Sequence, residues 1–388
     1  HFFEPGLNNL IGKYQNKMFF VGDAFPEDVS FDAFVVTVGT PLKPEEHVPN
    51  LEYIKSALLS VKKVYTGKEL FILRSTVSVG TTRNIVIPYL AQICEKSNEE
   101  IFVSFCPERT IEGKAIEELK SLPQIISGNN EKSLEMAQNL FRKITPYVIQ
   151  TKSLEEAELA KLYCNTYRDA VFAFGNVFCM AAQTFGVDGL EVIKIANQGY
   201  PRSKICLPGF VAGPCLEKDA YILTNNMKEC FSKEFILSVR KFNESLEDTV
   251  VNWVEKKIGA GSKEKIIALS GMTFKGEPET SDLRGSTSVY IARKLKEKGY
   301  TLKLHDFVAD LTEMEELNLG KSYTELKEGV KEANIILILN NHKKYAFVTK
   351  KELYIEEETP ILDVWNVCTT LQNEKVNIYN LGTINLGE

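Results

Sequence analysis

The sequence predicts an α/β protein in three parts: a parallel, doubly wound sheet first, an all-helical middle, and a second α/β unit at the end. Three observations predict it. Short apolar, β-branched runs alternate with helical patterns over roughly the first 150 residues. Strand-like runs then vanish between Ser153 and Ile258, and they return after Gly259. Strands separated by helices argue for parallel pairing, because each parallel connection must cross the sheet. The 388-residue length suits this division at roughly 100–200 residues per domain.

In chain order, Phe34-Val35-Val36-Thr37-Val38 is a strand run ending in Gly39-Thr40-Pro41. Leu51 to Val64 has helical apolar spacing. Leu70-Phe71-Ile72-Leu73 is a buried strand run, followed by Arg74-Ser75-Thr76-Val77. Thr82 to Cys94 reads as helix and Ile101 to Ser104 as strand; Gln124 to Gly128 and Tyr147 to Ile149 supply two more. Glu155 to Gln183 reads as one long helix, with no proline and only Gly175 to interrupt it. A helix that long must bury its apolar face somewhere, which makes it a candidate dimer core. A Gly- and Pro-rich loop covers Gly199 to Gly213, and helix resumes from Met227 to Lys257. Gly259-Ala260-Gly261-Ser262 is a linker. Later strands are Lys265–Leu269, Leu302–Asp306, Ile335–Leu339 and Ile361–Val364. The expected domains are therefore 1–152, 153–260 and 261–388.

Hydrophobic residues make up 44% and charged residues 25%, with a formal net charge of -6 and a pI near 5.6. A mildly acidic chain without a basic block predicts neither nucleic acid nor an anionic membrane as partner. It leaves room for a small anionic ligand, which needs only a few local cations. No stretch approaches the roughly 20 apolar residues of a membrane span, and no signal peptide is visible. The chain opens at His1-Phe2-Phe3-Glu4 without an initiator Met, as expected if N-terminal sequence is missing. Eight cysteines contain no C-x-x-C pair, and the four histidines are scattered, so no metal site is expected. Scattered cysteines in a chain of this length suit reduced thiols in the cytoplasm, most of them acting as small buried hydrophobes.

Several segments carry chemistry. Cys215 lies in Leu207-Pro-Gly-Phe210-Val-Ala-Gly-Pro-Cys215-Leu-Glu-Lys218-Asp219. The constrained loop lets backbone amides approach a substrate, and Lys218 and Asp219 place a cation and an acid/base near the sulfur. A nearby cation favours the thiolate, the form that attacks carbonyls. Lys161 and Asn165 are i and i+4 on one helix face, with Glu158 three residues earlier. The plain reading there is a surface Glu158–Lys161 ion pair; the functional reading is a Lys and an amide aimed together at developing oxyanion charge. Glu108 directly follows a strand, where parallel sheets place ligands, and can act as general base or orient water. Thr40 and Ser75-Thr76 also follow strands and line the same edge. Lys275 and Arg284 follow the strand at Ile266–Leu269, a position that suits a phosphate or pyrophosphate.

Taken in order, these motifs resemble the UDP-glucose/GDP-mannose dehydrogenase family. The resemblance rests on Glu4-Pro5-Gly6-Leu7, Val38-Gly39-Thr40-Pro41, Ser75-Thr76-Val77 to Thr82, Pro107-Glu108 with Glu112-Gly113, and Glu158, Lys161 and Asn165. The Cys215–Asp219 loop, Phe274-Lys275 with Asp282-Leu-Arg284, and Asp363-Val-Trp-Asn366 complete it. It spans nearly the whole chain. It implies a Rossmann-like first domain, a central helical dimerisation domain and a Rossmann-like nucleotide-sugar-binding domain. It implies oxidation of the C6 alcohol of a nucleotide sugar to a carboxylate, with two NAD consumed and Cys215 forming a thiohemiacetal and then a thioester. Asp219 and Lys161 take acid/base and oxyanion duties, Asn165 positions the reacting oxygen, and Thr76 and Glu108 place water. Arg202, Phe210 and Lys275 are implied substrate contacts, Arg202 reaching a neighbouring subunit; Thr40, Glu112, Lys218 and Arg284 match cofactor-side positions.

The sequence departs from the family pattern in four places. No Gly-x-Gly-x-x-Gly turn precedes Glu4, so the first Rossmann-like domain is expected to lack its opening βαβ unit. Cys106 stands where the family has Asn, the loop before Cys215 is lengthened, and Lys275 and Arg284 are more widely spaced. Two other readings stand beside this one. A 3-hydroxyacid-type dehydrogenase also pairs a dinucleotide domain with a Lys/Asn helix, but it needs neither Cys215 nor residues 262–388. A non-catalytic nucleotide-sugar-binding fragment would have no need of Cys215, Lys161 and Asp219.

Overall fold

A computed structural model of the chain describes residues 4–26, 29–43, 46–353 and 358–386; the opening His1-Phe2-Phe3 lies outside them. The chain forms two compact units. The amino-terminal unit holds Glu4–Thr166 and Lys218–Lys233; the carboxyl-terminal unit holds Tyr167–Glu217 and Glu234 onward.

In the amino-terminal unit, β1 (Ala33–Val36), β2 (Leu70–Leu73) and β3 (Phe102–Phe105) form a parallel sheet in that order. All four β2 residues are buried, which is why its sequence is an unbroken apolar run rather than an alternating one. Its alternation is instead between two cores. Phe71 and Leu73 pack with Ile54, Leu58 and Leu90, whereas Leu70 and Ile72 pack with Ala137 and Phe141. A second parallel pair joins β4 (Gln124–Ile126) to β5 (Val148–Gln150). The segment expected as a helix from Thr82 is divided: a π-helical turn spans Thr82–Val86 and an α-helix spans Ile87–Ile93. Pro88 is the physical reason. It donates no N–H and crowds the carbonyl four residues back, and widening the preceding turn accommodates both effects.

Between β5 and β6 (Ile266–Ser270) there is no strand, only four helices: Leu154–Gln183, Gly189–Asn197, Leu216–Asn225 and Phe231–Ile258. The expected long helix is present. The helix Leu216–Asn225 was not legible in the sequence, because Asp219 through Thr224 are all buried. A helix covered all round shows no amphipathic period.

The carboxyl-terminal unit carries one parallel sheet of β6, β7 (Thr301–His305), β8 (Lys321–Tyr323), β9 (Ile335–Ile338), β10 (Pro360–Asp363) and β11 (Asn377–Tyr379). The order is β8-β7-β6-β9-β10-β11. Successive strands run outward from β6 on one side and from β9 on the other, the doubly wound arrangement with its switch point between β6 and β9. Period-2 alternation again builds two cores. Ile267, Leu269, Ile335 and Leu337 face a core completed by Leu246, Val250 and Val254 of the helix Phe231–Ile258. Ala268, Ile336 and Ile338 face the other, with Tyr345 and Leu371.

Candidate active site

The carboxyl ends of β1 and β2 are tied together. Thr40 donates to the Thr76 carbonyl at 2.5 Å, and Ser75 donates to the Val38 carbonyl at 2.6 Å. After β3, Glu108 pairs with the buried guanidinium of Arg74 and accepts the Arg109 and Thr110 amides at 2.7 and 2.8 Å. Burial pushes its carboxyl up, but the Arg74 charge and these donors outweigh burial and hold it below the ordinary carboxylate value. An ionised Glu108 is better suited to orienting water than to taking a proton. Glu112 lies half-buried in the turn before the helix Ala115–Ser121.

Glu158 makes no surface ion pair. It is buried, and its carboxylate accepts the Gly80 amide at 2.6 Å, the Thr82 amide at 3.0 Å and the Thr82 hydroxyl at 2.7 Å. Those amides open the π-helical turn, so Glu158 fills a helix-start position that would otherwise attract an anion. The same helix carries Lys161 and Asn165, each 8% exposed. One amide N–H of Asn165 goes to Asp219 at 2.6 Å, and the other Asp219 oxygen receives Lys218 at 3.2 Å. Asp219 is 1% exposed, so this Asn165–Asp219–Lys218 cluster is held away from water. Among the described residues Lys161 has no such partner for its ammonium.

In the carboxyl-terminal unit Cys215 is exposed and immediately precedes the helix Leu216–Asn225. Its loop is fastened to the segment after β6: the Gly213 amide donates to the Gly285 carbonyl at 2.8 Å, and the Phe274 ring lies against Gly213. The fold therefore brings the Cys215 loop to the Phe274-Lys275 and Arg284 segments, which the sequence separates by about 60 residues. Arg284 is bound to Asp282 at 2.8 Å and edges a cavity of about 200 Å³ that Ser286, Tyr290 and Arg293 also line. The ring of Phe210, expected as a substrate contact, is 6% exposed and belongs to the core; what position 210 can offer a ligand is its backbone. Arg202 is exposed, with its guanidinium 5.0 Å from the Tyr200 ring centroid.

Cys164 and Cys230 are exposed as Cys215 is, Cys230 also just ahead of a helix, and Cys94 and Cys206 are half-buried. Cys106, Cys179 and Cys368 are buried, and burial pushes the Cys106 and Cys179 thiols up to about 12. Residues that sequence reasoning missed include Thr273, Asp306 and Asn340 at the β6–β9 switch point, joined by bonds of 2.9–3.1 Å. Arg240 was missed as well, although an arginine in register with Asn243, Leu246 and Val250 on one helix is the signal of a buried, paired cation. Among the described residues no group of three His, Cys, Asp or Glu side chains could hold a metal, and no helix is long and apolar enough to cross a membrane.

Strand-end threonines fit the edge of a dinucleotide, and a lysine loop at the switch point of a second parallel sheet fits a second nucleotide. Those are the parts of a nicotinamide-dependent dehydrogenase whose substrate carries a nucleotide. Comparison with known proteins makes the class specific. The NAD binding, central and UDP binding domains of the UDP-glucose/GDP-mannose dehydrogenase family match residues 1–145, 155–245 and 268–370. A UDP-N-acetyl-D-mannosamine dehydrogenase of Methanococcus maripaludis is 31% identical over 96% of this chain and 81% of its own. One from Campylobacter jejuni is 31% identical over 89% of this chain and 85% of its own. The structure of the UDP-N-acetyl-mannosamine dehydrogenase from Staphylococcus aureus superposes with a TM-score of 0.80 at 26% identity, covering 98% of this chain and 88% of that one. The chain belongs to the UDP-glucose/GDP-mannose dehydrogenase family and is an oxidoreductase that uses NAD.

Proposed function

We propose that the protein oxidises C6 of a UDP-N-acetylhexosamine, of the N-acetylmannosamine type, from alcohol to carboxylate. The sugar follows the relatives, several of which are UDP-N-acetyl-D-mannosamine dehydrogenases. The chemistry rests on one observation: Cys215 is exposed at a helix start on the loop that the Gly213–Gly285 bond fastens beside Phe274, whereas Cys230, also exposed ahead of a helix, lies outside that loop. A helix N-terminus favours negative charge, so a thiolate is stabilised where a nucleophile is needed.

NAD, when bound, supplies the hydride acceptor for both oxidations; Thr40, Glu112, Lys218 and Arg284 are the residues assigned to it. Cys215 then acts on the aldehyde. Its Sγ lone pair forms the C–S bond, the carbonyl π pair moves to oxygen, and that oxygen takes a proton to give a thiohemiacetal. Lys161, an ammonium without a partner among the described residues, stabilises the charge on this oxygen. Asn165 orients it, and Asp219 exchanges its proton. Once the adduct is at the thioester level, water ordered by Glu108 and Thr76 adds to the carbonyl carbon. The C–S bond breaks, and its electron pair returns to Cys215 as thiolate while the carboxylate leaves. Holding the aldehyde carbon on sulfur keeps a reactive intermediate from escaping. Lys275 and the Cys215 loop backbone bind the nucleotide sugar. Arg202, exposed on its loop, serves the neighbouring subunit's site.

The assembly is a homodimer through the long helix: Tyr167, Phe174 and Phe178 are 70%, 48% and 46% exposed, too much aromatic surface for a face left in water. A thiol nucleophile and scattered cysteines suit the cytoplasm. The test is Cys215→Ser assayed for uronic acid formation. The variant should fold and bind UDP-sugar yet release no carboxylate; normal turnover would eliminate the covalent route.

A further inference from the structure

We propose that Arg240 and Asn176 are positioning residues that hold the Cys215 loop in its working shape. The proposal rests on Cys215 being the nucleophile. Residues 209–215 have no helical or strand bonding of their own, so the loop's path must be set by contacts. Asn176, fully buried on the long helix, exchanges two bonds with the backbone of Gly209: it accepts the amide at 2.9 Å and donates to the carbonyl at 3.0 Å. It thus does for the loop what a neighbouring strand would do. Its amide nitrogen also donates to Asn243 Oδ1 at 3.0 Å.

Arg240, 2% exposed, grips the loop further along. Nη2 donates to the Val211 carbonyl at 3.1 Å and Nη1 to the Leu216 carbonyl at 3.2 Å, one on each side of Cys215. Its charge is met by Asp169 at 2.8 Å, and Asn243 donates to the same Asp169 oxygen at 2.8 Å. Asn176, Asn243, Asp169 and Arg240 therefore form one connected buried network that touches the loop at 209, 211 and 216. Two aromatic rings close the alternatives. A Cβ on Gly209 would fall 2.4 Å from the Trp365 ring, and one on Gly213, where φ is +96°, would fall 2.5 Å from Phe274.

A buried ion pair is a poor way to gain stability, because desolvation offsets most of the attraction. What a planar, fork-shaped guanidinium provides here is fixed geometry at two carbonyls at once, which a lysine cannot match. The amide of Asn176 and both Nη atoms of Arg240 are engaged by the loop backbone, Asn243 and Asp169, so their effect passes through the loop to Sγ.

The experiment compares Arg240→Lys and Asn176→Ser with wild type and Cys215→Ser in the full chain, at a temperature where each is folded. Cys215 alkylation by iodoacetamide is followed by peptide mass analysis, alongside kcat, KM and the thermal midpoint. The proposal expects the alkylation rate to change at least about fivefold. It expects kcat to fall about 10- to 100-fold, since small misplacements of a reacting atom are costly, with KM for the UDP-sugar held within about threefold. A lowered midpoint with unchanged alkylation and kcat would show a merely structural role and overturn it. If Arg240→Lys does not fold, Asn176→Ser, which removes only the Gly209 pair and the bond to Asn243, decides alone. If Cys215→Ser still forms the acid, the nucleophile assignment falls, and the alkylation rates still decide whether the network shapes the loop.

Discussion

Replacing Asp219 separates what the buried cluster does for stability from what it does for chemistry. Asp219 is 1% exposed and holds Asn165 at 2.6 Å and Lys218 at 3.2 Å. Asp219→Ala leaves both partners unmatched. Hydrogen bonds to a charged group contribute about 1.5–3 kcal/mol each, and breaking a buried pair costs about 3–5 kcal/mol. Lys218, 15% exposed, can swing partly into water, which places the loss near the lower limit, about 3 kcal/mol. Asp219→Asn keeps the shape and an acceptor for Asn165, so its cost should be only about 1–2 kcal/mol. Its catalytic loss should nevertheless match that of the alanine variant, about 10²–10⁴-fold in kcat, because the carboxylate proposed to exchange a proton is gone from both. Urea denaturation with linear extrapolation measures the first quantity, and NADH formation under saturating substrates the second. An Asp219→Asn enzyme with near wild-type kcat would refute the acid/base role, and equal destabilisation by both variants would refute the account of the cluster.

Three further outcomes are expected. Glu158→Ala should destabilise the protein by about 3–5 kcal/mol in urea unfolding, since it strands two buried amides and a buried hydroxyl at about 1–3 kcal/mol each; a loss below about 1 kcal/mol would show that water replaces the carboxylate. Glu108 titrates below its ordinary value of 4.5, so the stability its Arg74 pair contributes is present above that pH and is lost as pH falls through the lower folded value. With its side chain 42% exposed the contribution is screened, at most about 1 kcal/mol, and Glu108→Gln should flatten only this acidic part of the stability profile; an unchanged profile there would remove Glu108 from the account. The proposed dimer should be found in light scattering of the wild type, and Phe178→Glu should convert it to a monomer; an unchanged dimeric mass would move the interface away from the long helix.

Reading the sequence reached the layered order of strands and helices, the long helix, and one local grouping, Lys161 with Asn165 on one helix face. These are legible because helical and strand periods of 3.6 and 2 residues are local properties, so spacing alone tells which side chains share a face. Other features depend on partners far along the chain. Glu158 looks like half of a surface ion pair until the fold sets Gly80 and Thr82, 76 or more residues away, against it. Asn165 meets Asp219 across 54 residues, and Arg240 meets Asp169 across 71. The pairing of β6 with β9 as well as β7 likewise sets the switch point, which no local pattern announces. Burial demands that each such polar group find a partner, but the sequence offers many candidates for each. Only the packed tertiary structure decides which donors and acceptors are enclosed together, because the penalty for an unmatched group exists only where water has been excluded.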